Sequence, residues 1–374
     1  MDFKLTPEQE MIKKAAKEFA DREIEPIAAQ VEREKNMPPD MLKKFAKARL
    51  LGMTVPREYG GVGSSFLNWA LATEQISYPA SACGGLMAMN NTVPNMIDRY
   101  GTQEQKEKYI RPLCQGEVIA SLAFTEPATG ADPRLITTTA ELDGEYYRIN
   151  GTKRFITDSP FDGPVILFAK TNDRISGFIV DKNSEGYTTS KPYELMGGGG
   201  WVTADIYLKE VRVPKDNLIG DLDNGFIILL QWAATSKLAL CAGSVGLAQA
   251  ALDESVRYAK ERVLRNNRPI AATQSIQWML AEMACKVEAA RYLLYWAASL
   301  VDQGKDVMRE AAIAKLFSSR AGVEVADMGL RVHGAYGFTT EYKIERIYRQ
   351  AKGNEVIEGT SEVQRSIVAG FLVR

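Results

Sequence analysis

Histidine is almost missing from this chain: His333 is the only one in 374 residues. Catalysis by paired histidines and a histidine-rich metal site are thereby excluded. A general base has to come from the carboxylates, lysines, tyrosines or cysteines, and no metal is expected. Cysteine is scarce as well. Cys83, Cys114, Cys241 and Cys285 lie far apart, without CxxC or metal-ligand spacing. A disulfide framework is not expected at that density, and a reduced, cytoplasmic setting is. Charge of one sign is missing too, because 46 basic residues face 47 acidic ones. That balance argues against binding nucleic acid through bulk charge. No apolar run approaches the ~18 residues of a membrane span, and residues 1–10 lack the apolar core of a signal peptide. No short-period repeat or low-complexity linker divides the chain.

The residues that are present change texture twice. Over residues 1–117 the pattern is helical. Thr6, Pro7 and Gln9 form a capping-box start, followed by Met11, Ile12, Ala15, Ala16, Phe19 and Ile24 at helical spacing. Pro38-Pro39 separates this unit from the next, and Thr102 with Gln105 opens another helix. Residues 118–222 read as a compact β domain. Asp143-Gly144 marks a hairpin, Asn150-Gly151 a second turn at once, and short strands are expected over 165–169, 177–180 and 204–208. Residues 223–374 read as long helices with short breaks such as Asp302-Gln303-Gly304, which suits a four-helix bundle. The fold class expected is α+β multidomain, in the order helical, β, helical.

Gly60-Gly61-Val62-Gly63 is no nucleotide loop, since it lacks the third glycine and the strand–helix frame. Met196 to Trp201, with four glycines in a row, reads as a flexible turn between strands. Three other segments invite chemistry. Thr125-Glu126-Pro127-Ala128-Thr129-Gly130-Ala131-Asp132 follows a strand, and its small residues let backbone amides approach a ligand. Phe155-Ile156-Thr157 stands about twenty-five residues on. Near the C-terminus is Glu358-Gly359-Thr360-Ser361-Glu362. On pattern alone the first two are ordinary β-loops and the third is a helix start with solvated acids.

Taken together and in order, these segments resemble the acyl-CoA dehydrogenase family, and the resemblance spans essentially the whole chain. The Thr-Glu-Pro run matches with Ala131 in place of serine. The aromatic-Ile-Thr run has Phe155 in place of tryptophan. His333-Gly334-Ala335-Tyr336-Gly337 and the run from Glu358 to Glu362 complete the set. The resemblance implies FAD between the β domain and the C-terminal bundle. It implies FAD contacts from Leu122, Phe124, Thr125, Gly130, Ala131, Phe155, Ile156, Thr157, Thr360 and Glu362. It further implies that Arg262, Gln274, Arg331, Gly334 and Ala335 reach the FAD of a second subunit, so that the chain is a homo-oligomer, commonly a tetramer. Glu358 would remove the α-proton of an acyl-CoA while flavin N5 takes the β-hydride, with electron-transfer flavoprotein as electron acceptor. Members that place the base on an earlier helix do so just before an arginine. Here that stretch reads Ala234-Thr235-Ser236-Lys237, without a carboxylate. The Arg262-Val263-Leu264-Arg265-Asn266 run departs from the family's pattern by one extra residue.

The resemblance also places substrate beside Ala131, Lys237 and Gly359. Dicarboxylic thioesters require an arginine on the helix lining the acyl pocket, and the matching position is Cys83. A free carboxylate without a cation is costly to bury, so a neutral acyl group is expected. Gly84 and Gly85 point to a wider pocket for a branched or alicyclic group, or else to close helix packing. Asn90 and Asn91 are expected to offer polar contacts. The rival readings are an enoyl-CoA reductase or acyl-CoA oxidase on the same scaffold, and a non-enzymatic interaction protein.

Overall fold

The computed structural model describes residues 4–264 and 267–373. Arg265 and Asn266, where the extra loop residue was expected, lie outside the described residues.

The N-terminal unit is helical: α1 (Pro7–Phe19), α2 (Ala28–Glu34), α3 (Met41–Lys47), α4 (Phe66–Ser77), α5 (Ser81–Tyr100), α6 (Gln103–Gln105) and α7 (Arg111–Cys114). Both expected capping boxes are present. The Thr6 hydroxyl accepts from Gln9 N–H, and the Thr102 hydroxyl accepts from Gln105 N–H. Each answers an otherwise orphaned donor of a helix's first turn.

The middle unit comprises β1 (Ser121–Ala123), β2 (Thr139–Asp143), β3 (Tyr146–Thr157), β4 (Pro164–Thr171), β5 (Arg174–Asp181), β6 (Tyr187–Thr189), β7 (Thr203–Pro214) and β8 (Leu218–Ile219). They lie in one sheet in the order β6-β7-β3-β2-β4-β5-β8, with β1 parallel to β4. The hairpin at Asp143-Gly144 is as expected. The second turn at Asn150-Gly151 is not, because β3 runs straight through it. The extra backbone length is absorbed as a register shift against β7 between Ile149 and Gly151. β4 is buried on both faces, and its period of two sorts its side chains into two cores. Val165, Leu167 and Ala169 join Tyr147 and Phe178 within the β unit. Ile166 and Phe168 face Met96 and Ile97 of α5 and Trp232. That second core presses the sheet against the helices.

The C-terminal unit holds α8 (Gly225–Glu261), α9 (Gln274–Asp302), α10 (Met308–His333), α11 (Lys343–Val356) and α12 (Ser361–Leu372). Helices α8 to α11 form the bundle, with a core of Leu247, Ala251, Met283, Val287, Val325 and Ile347. By length and composition α8 passes the test for a membrane span, which corrects the reading that no run approaches one. Most of that apolar window, 61%, is buried inside the protein.

Polar ties join the three units. Glu74 of α4 accepts from Arg291 Nε (3.0 Å) and Tyr295 Oη (2.8 Å) of α9. Glu32 of α2 accepts from Gly199 N–H of the middle unit (2.9 Å) and from Gln350 Nε2 of α11 (2.8 Å). The glycine turn between β6 and β7 is therefore pinned rather than free.

Candidate active site

The loop after β1 takes its shape from Glu126. One carboxylate oxygen accepts from the Thr138 N–H (3.0 Å), the Thr138 hydroxyl (2.6 Å) and Lys153 Nζ (2.8 Å). The other accepts from the Thr137 N–H (2.6 Å) and hydroxyl (2.7 Å). Burial alone would raise this carboxyl, but the Lys153 ammonium and the threonine donors overcome it and hold the value at about 2. With both oxygens engaged, Glu126 is a clamp and not a ligand. Lys153 Nζ also donates to the Phe124 carbonyl (3.3 Å), and Arg154 N–H to that of Thr125 (2.8 Å). These bonds bring the two sequence segments, 124–126 and 153–157, side by side.

Within this frame the expected cofactor residues divide. Leu122 and Ile156 are buried in the two cores of the sheet, so they offer backbone rather than side chain. Phe124, Thr125 and Thr157 are half-buried, while Gly130 and Ala131 are exposed. Phe155 adopts a left-handed φ of 57°, keeps 55% of its surface exposed and packs 4.7 Å from the Tyr193 ring. A bulky residue in that conformation is uncommon. Among the described residues, no hydrogen bond within the chain uses the hydroxyls of Thr125 or Thr157. Two unengaged hydroxyls beside an exposed aromatic ring fit a flavin.

The candidate base sits between α11 and α12. Glu358 and Gly359 are consecutive left-handed residues, with φ of 55° and 85°. For Glu358 that conformation costs about 1–2 kcal/mol, so the fold has to hold it. Gln364 Nε2 donates to the carbonyls of Glu358 (3.2 Å) and Gly359 (2.8 Å). Lys315 of α10, with 0% of its surface exposed, donates to those of Glu355 (3.0 Å) and Gly359 (2.8 Å). The carboxyl itself accepts from the Ser236 hydroxyl at 2.9 Å. Burial pushes the Glu358 carboxyl up, against the pull of Lys237, Ser236 and Lys315. Lys315 is in turn brought down by burial to about 8. Lys237, also buried, donates to the Ala233 carbonyl at 2.8 Å. Thr360 stands at the N-cap of α12 without a side-chain cap bond, and the exposed Glu362 pairs with Arg365 at 2.9 Å.

A third group collects at one end of the bundle, where α8 and α10 finish and α9 begins. Arg262, Gln274, Arg331, Gly334 and Ala335 are all exposed there. The Arg262 guanidinium lies 5.5 Å over the Tyr336 ring.

At the acyl pocket the expectation for the asparagines is corrected, and of the two readings of Gly84 and Gly85 the packing one is favoured. Asn90 Nδ2 donates to the carbonyls of Leu113 and Val118, and its Oδ1 accepts from Ala120 N–H. Asn91 is committed in the same way to Met53, Leu50 and Met87. Both are buried and tie α5 to neighbouring backbone, so neither is free for an acyl group. Gly84 and Gly85 are packing glycines. A Cβ on Gly84 would lie 1.9 Å from Ser77 Oγ, and one on Gly85 would lie 2.4 Å from Trp201 Nε1.

Sequence reasoning missed Ser236, Lys315 and Gln364, and the clamping role of Glu126 and Lys153. The signal existed for the lysines. Lys315 falls on the inward face of α10 with Ala311, Ala312, Ser318 and Ser319, and Lys153 falls inside a strand.

Comparison with known proteins agrees along the full chain. Family models described as the N-terminal, middle and C-terminal domains of acyl-CoA dehydrogenase match residues 6–117, 121–211 and 223–373. The chain is 40% identical to the 3-(aryl)acrylate reductase of Clostridium sporogenes, covering 99% of each. It is 37% identical to the caffeyl-CoA reductase–Etf complex subunit CarC of Acetobacterium woodii, covering 98% of each. The solved butyryl-CoA dehydrogenase of Megasphaera elsdenii superposes with a TM-score of 0.97 at 31% identity, covering 100% of both chains. Its cofactor is accordingly FAD, and the chain belongs to the acyl-CoA dehydrogenase family of oxidoreductases acting on CH–CH bonds.

Proposed function

We propose that this protein interconverts an acyl-CoA thioester and its 2-enoyl counterpart, with Glu358 carrying the α-proton, and that it works physiologically in the reducing direction. The observation that carries the reading is the Glu358 carboxyl: half-buried, hydrogen-bonded to Ser236 and raised above its ordinary range by desolvation. Such a group exchanges a proton nearer neutrality than a solvated carboxylate does. Thr125, Phe155, Thr157 and their neighbours would hold FAD, which would supply hydride exchange at the β-carbon. Glu358 delivers its proton to the α-carbon when the double bond is reduced, and removes it when the bond is formed. Among the described residues, no group of the chain takes the Glu358 N–H, which leaves it for the thioester oxygen, where negative charge develops. Lys315 and Gln364 fix the loop that aims both groups.

Two relatives described as reductases of unsaturated acids support the reducing direction, and the one named as part of an Etf complex supports electron-transfer flavoprotein as the partner. A neutral acyl group fits the site, because Cys83 is buried and brings no cation. The exposed residues at the bundle end support a homo-oligomer, a tetramer in this reading, that shares its cofactor sites.

The test is anaerobic. Chemically reduced protein is mixed with 2-enoyl-CoA thioesters, and oxidised protein with their saturated forms, while flavin absorbance is followed. Rapid flavin reoxidation by an enoyl-CoA, abolished in Glu358→Gln, is expected. Flavin indifferent to every thioester in both directions would refute the proposal. Reduction by saturated thioesters alone would reverse its direction.

A further inference from the structure

Ser236 and Lys237 are neighbours on α8: the first is hydrogen-bonded to Glu358, and the second feels its charge. The Ser236 hydroxyl lies 2.9 Å from Glu358 Oε2. Lys237 is 3% exposed in an apolar stretch of the helix. Its Nζ has one oxygen partner, the carbonyl of Ala233 at 2.8 Å, and touches Met308 Sδ at 4.0 Å. An ammonium carries three donors, so Lys237 retains N–H capacity that no oxygen among the described residues meets. A buried ammonium lacking a counter-charge is strongly unfavourable. Glu358 is the carboxylate whose charge acts on it. Lys315, the other buried cation beside Glu358, already gives two of its donors to the carbonyls of Glu355 and Gly359.

We propose that Ser236 and Lys237 form a positioning pair for Glu358, in which the hydroxyl orients the carboxyl and the ammonium keeps its proton transferable. The inference rests on the reading of Glu358 as proton carrier. The position before Lys237 matches the one at which some members of the family keep their base. Here it holds a serine, so the helix steers a carboxyl instead of supplying one. The charged groups that act on Glu358 are Lys237 of α8 and Lys315 of α10; Cys241 of α8 acts in turn on both lysines, and Glu355 of α11 on Lys315. Removing the Lys237 charge leaves burial less opposed, so the carboxyl should hold its proton to higher pH.

The experiment is a pH profile of flavin bleaching by a saturated acyl-CoA in single turnover. It is paired with the infrared difference band of the protonated Glu358 carboxyl, identified by its loss in Glu358→Gln. Lys237→Met should move the acid limb and the infrared titration upward together by about one unit, roughly a tenfold loss of rate below the limb. Lys237→Arg should restore both. Ser236→Ala should lower the bleaching rate roughly 10-fold while leaving thioester affinity unchanged. Melting temperature and FAD absorbance establish that each variant is folded, and Lys237→Gln serves if the methionine variant is not. An unmoved limb in a folded Lys237→Met or Lys237→Gln protein, or failure of arginine to rescue, overturns the pairing. If Glu358→Gln itself turns over normally, the functional reading fails. If only the Lys237 variants behave as native, that reading stands and this inference falls.

Discussion

Lys315 Nζ donates to the carbonyl of Gly359 at 2.8 Å and so fixes, from a different helix, the residue next to the candidate base. Its second bond, 3.0 Å to the Glu355 carbonyl, reaches the last turn of α11. One buried side chain thus joins the end of one helix to the left-handed pair that aims Glu358. Replacing Lys315 by methionine keeps the volume and removes both bonds. The Gly359 carbonyl keeps the Gln364 donor, so the cost falls mainly on the Glu355 carbonyl, about 1–3 kcal/mol. Lys315→Met should melt several degrees lower and lose roughly 10-fold or more in kcat, because the loop relaxes from its strained conformation. Calorimetry and steady-state rates check this. Normal kcat in a folded Lys315→Met protein would show that Gln364 holds the loop alone.

The Glu126 clamp makes a prediction about acid. Its carboxyl is held at about 2 in the folded protein against an ordinary 4.5. A lowered folded value means that the charged form favours folding. This contribution is therefore fully present above the ordinary carboxylate range and is lost as pH falls from about 4.5 toward 2. Glu126→Gln should be less stable at neutral pH and should show a shallower decline between those limits. FAD should also be released more readily, since the clamp shapes the loop from Phe124 to Glu126. Urea melts and flavin fluorescence across that range measure both effects. An acid limb as steep as in the native protein would place the titrating group elsewhere.

The sequence carried the helical–β–helical order, both capping boxes, the Asp143-Gly144 hairpin and the run holding Glu358, because each is written in local pattern. It did not carry the double duty of β4, since burial on two faces erases alternation. Nor did it reveal that Asn90 and Asn91 bind backbone, because the carbonyls they meet are contributed by distant segments. For Lys153 and Lys315 the sequence shows an unusual inward position but not the partner, for a related reason. A lysine on an apolar face looks like a snorkelling surface residue until its partner across the fold is known.

Gly84 and Gly85 separate packing from pocket width. A methyl on Gly84 would meet Ser77 Oγ at 1.9 Å, well inside contact. Overpacking of this kind costs about 1–3 kcal/mol. Gly84→Ala should lower the melting temperature and leave the preference among acyl chain lengths unchanged. Ser77→Ala should recover much of the loss, because the Ser77 hydroxyl is buried without a hydrogen-bond partner among the described residues. A changed chain-length preference with no loss of stability would return Gly84 to the pocket wall.

The arginines at the bundle end test whether the cofactor is shared. Arg262 closes α8, Arg331 lies in the last turn of α10, and both are exposed beside Tyr336 and Phe338, the latter 94% exposed. Glu358 follows the far end of α11, and that helix starts near this cluster, where Tyr342 packs on Tyr258 and Tyr336. Its 14 residues give that helix a length of about 21 Å. The proposed shared site assigns these two cations to the FAD of a neighbouring copy. A pyrophosphate contact of this charge-assisted kind is worth about 1.5–3 kcal/mol, roughly 10- to 100-fold in affinity for each arginine. The double variant Arg262→Ala, Arg331→Ala should retain its helical content, lose FAD on dilution and shift toward smaller species in sedimentation, the two losses running in parallel. Added FAD should drive reassembly of the native protein and do so poorly for the variant. A native protein that sediments as a monomer with FAD tightly bound would remove the basis for a shared site, and the arginines would then belong to the solvated surface of the bundle.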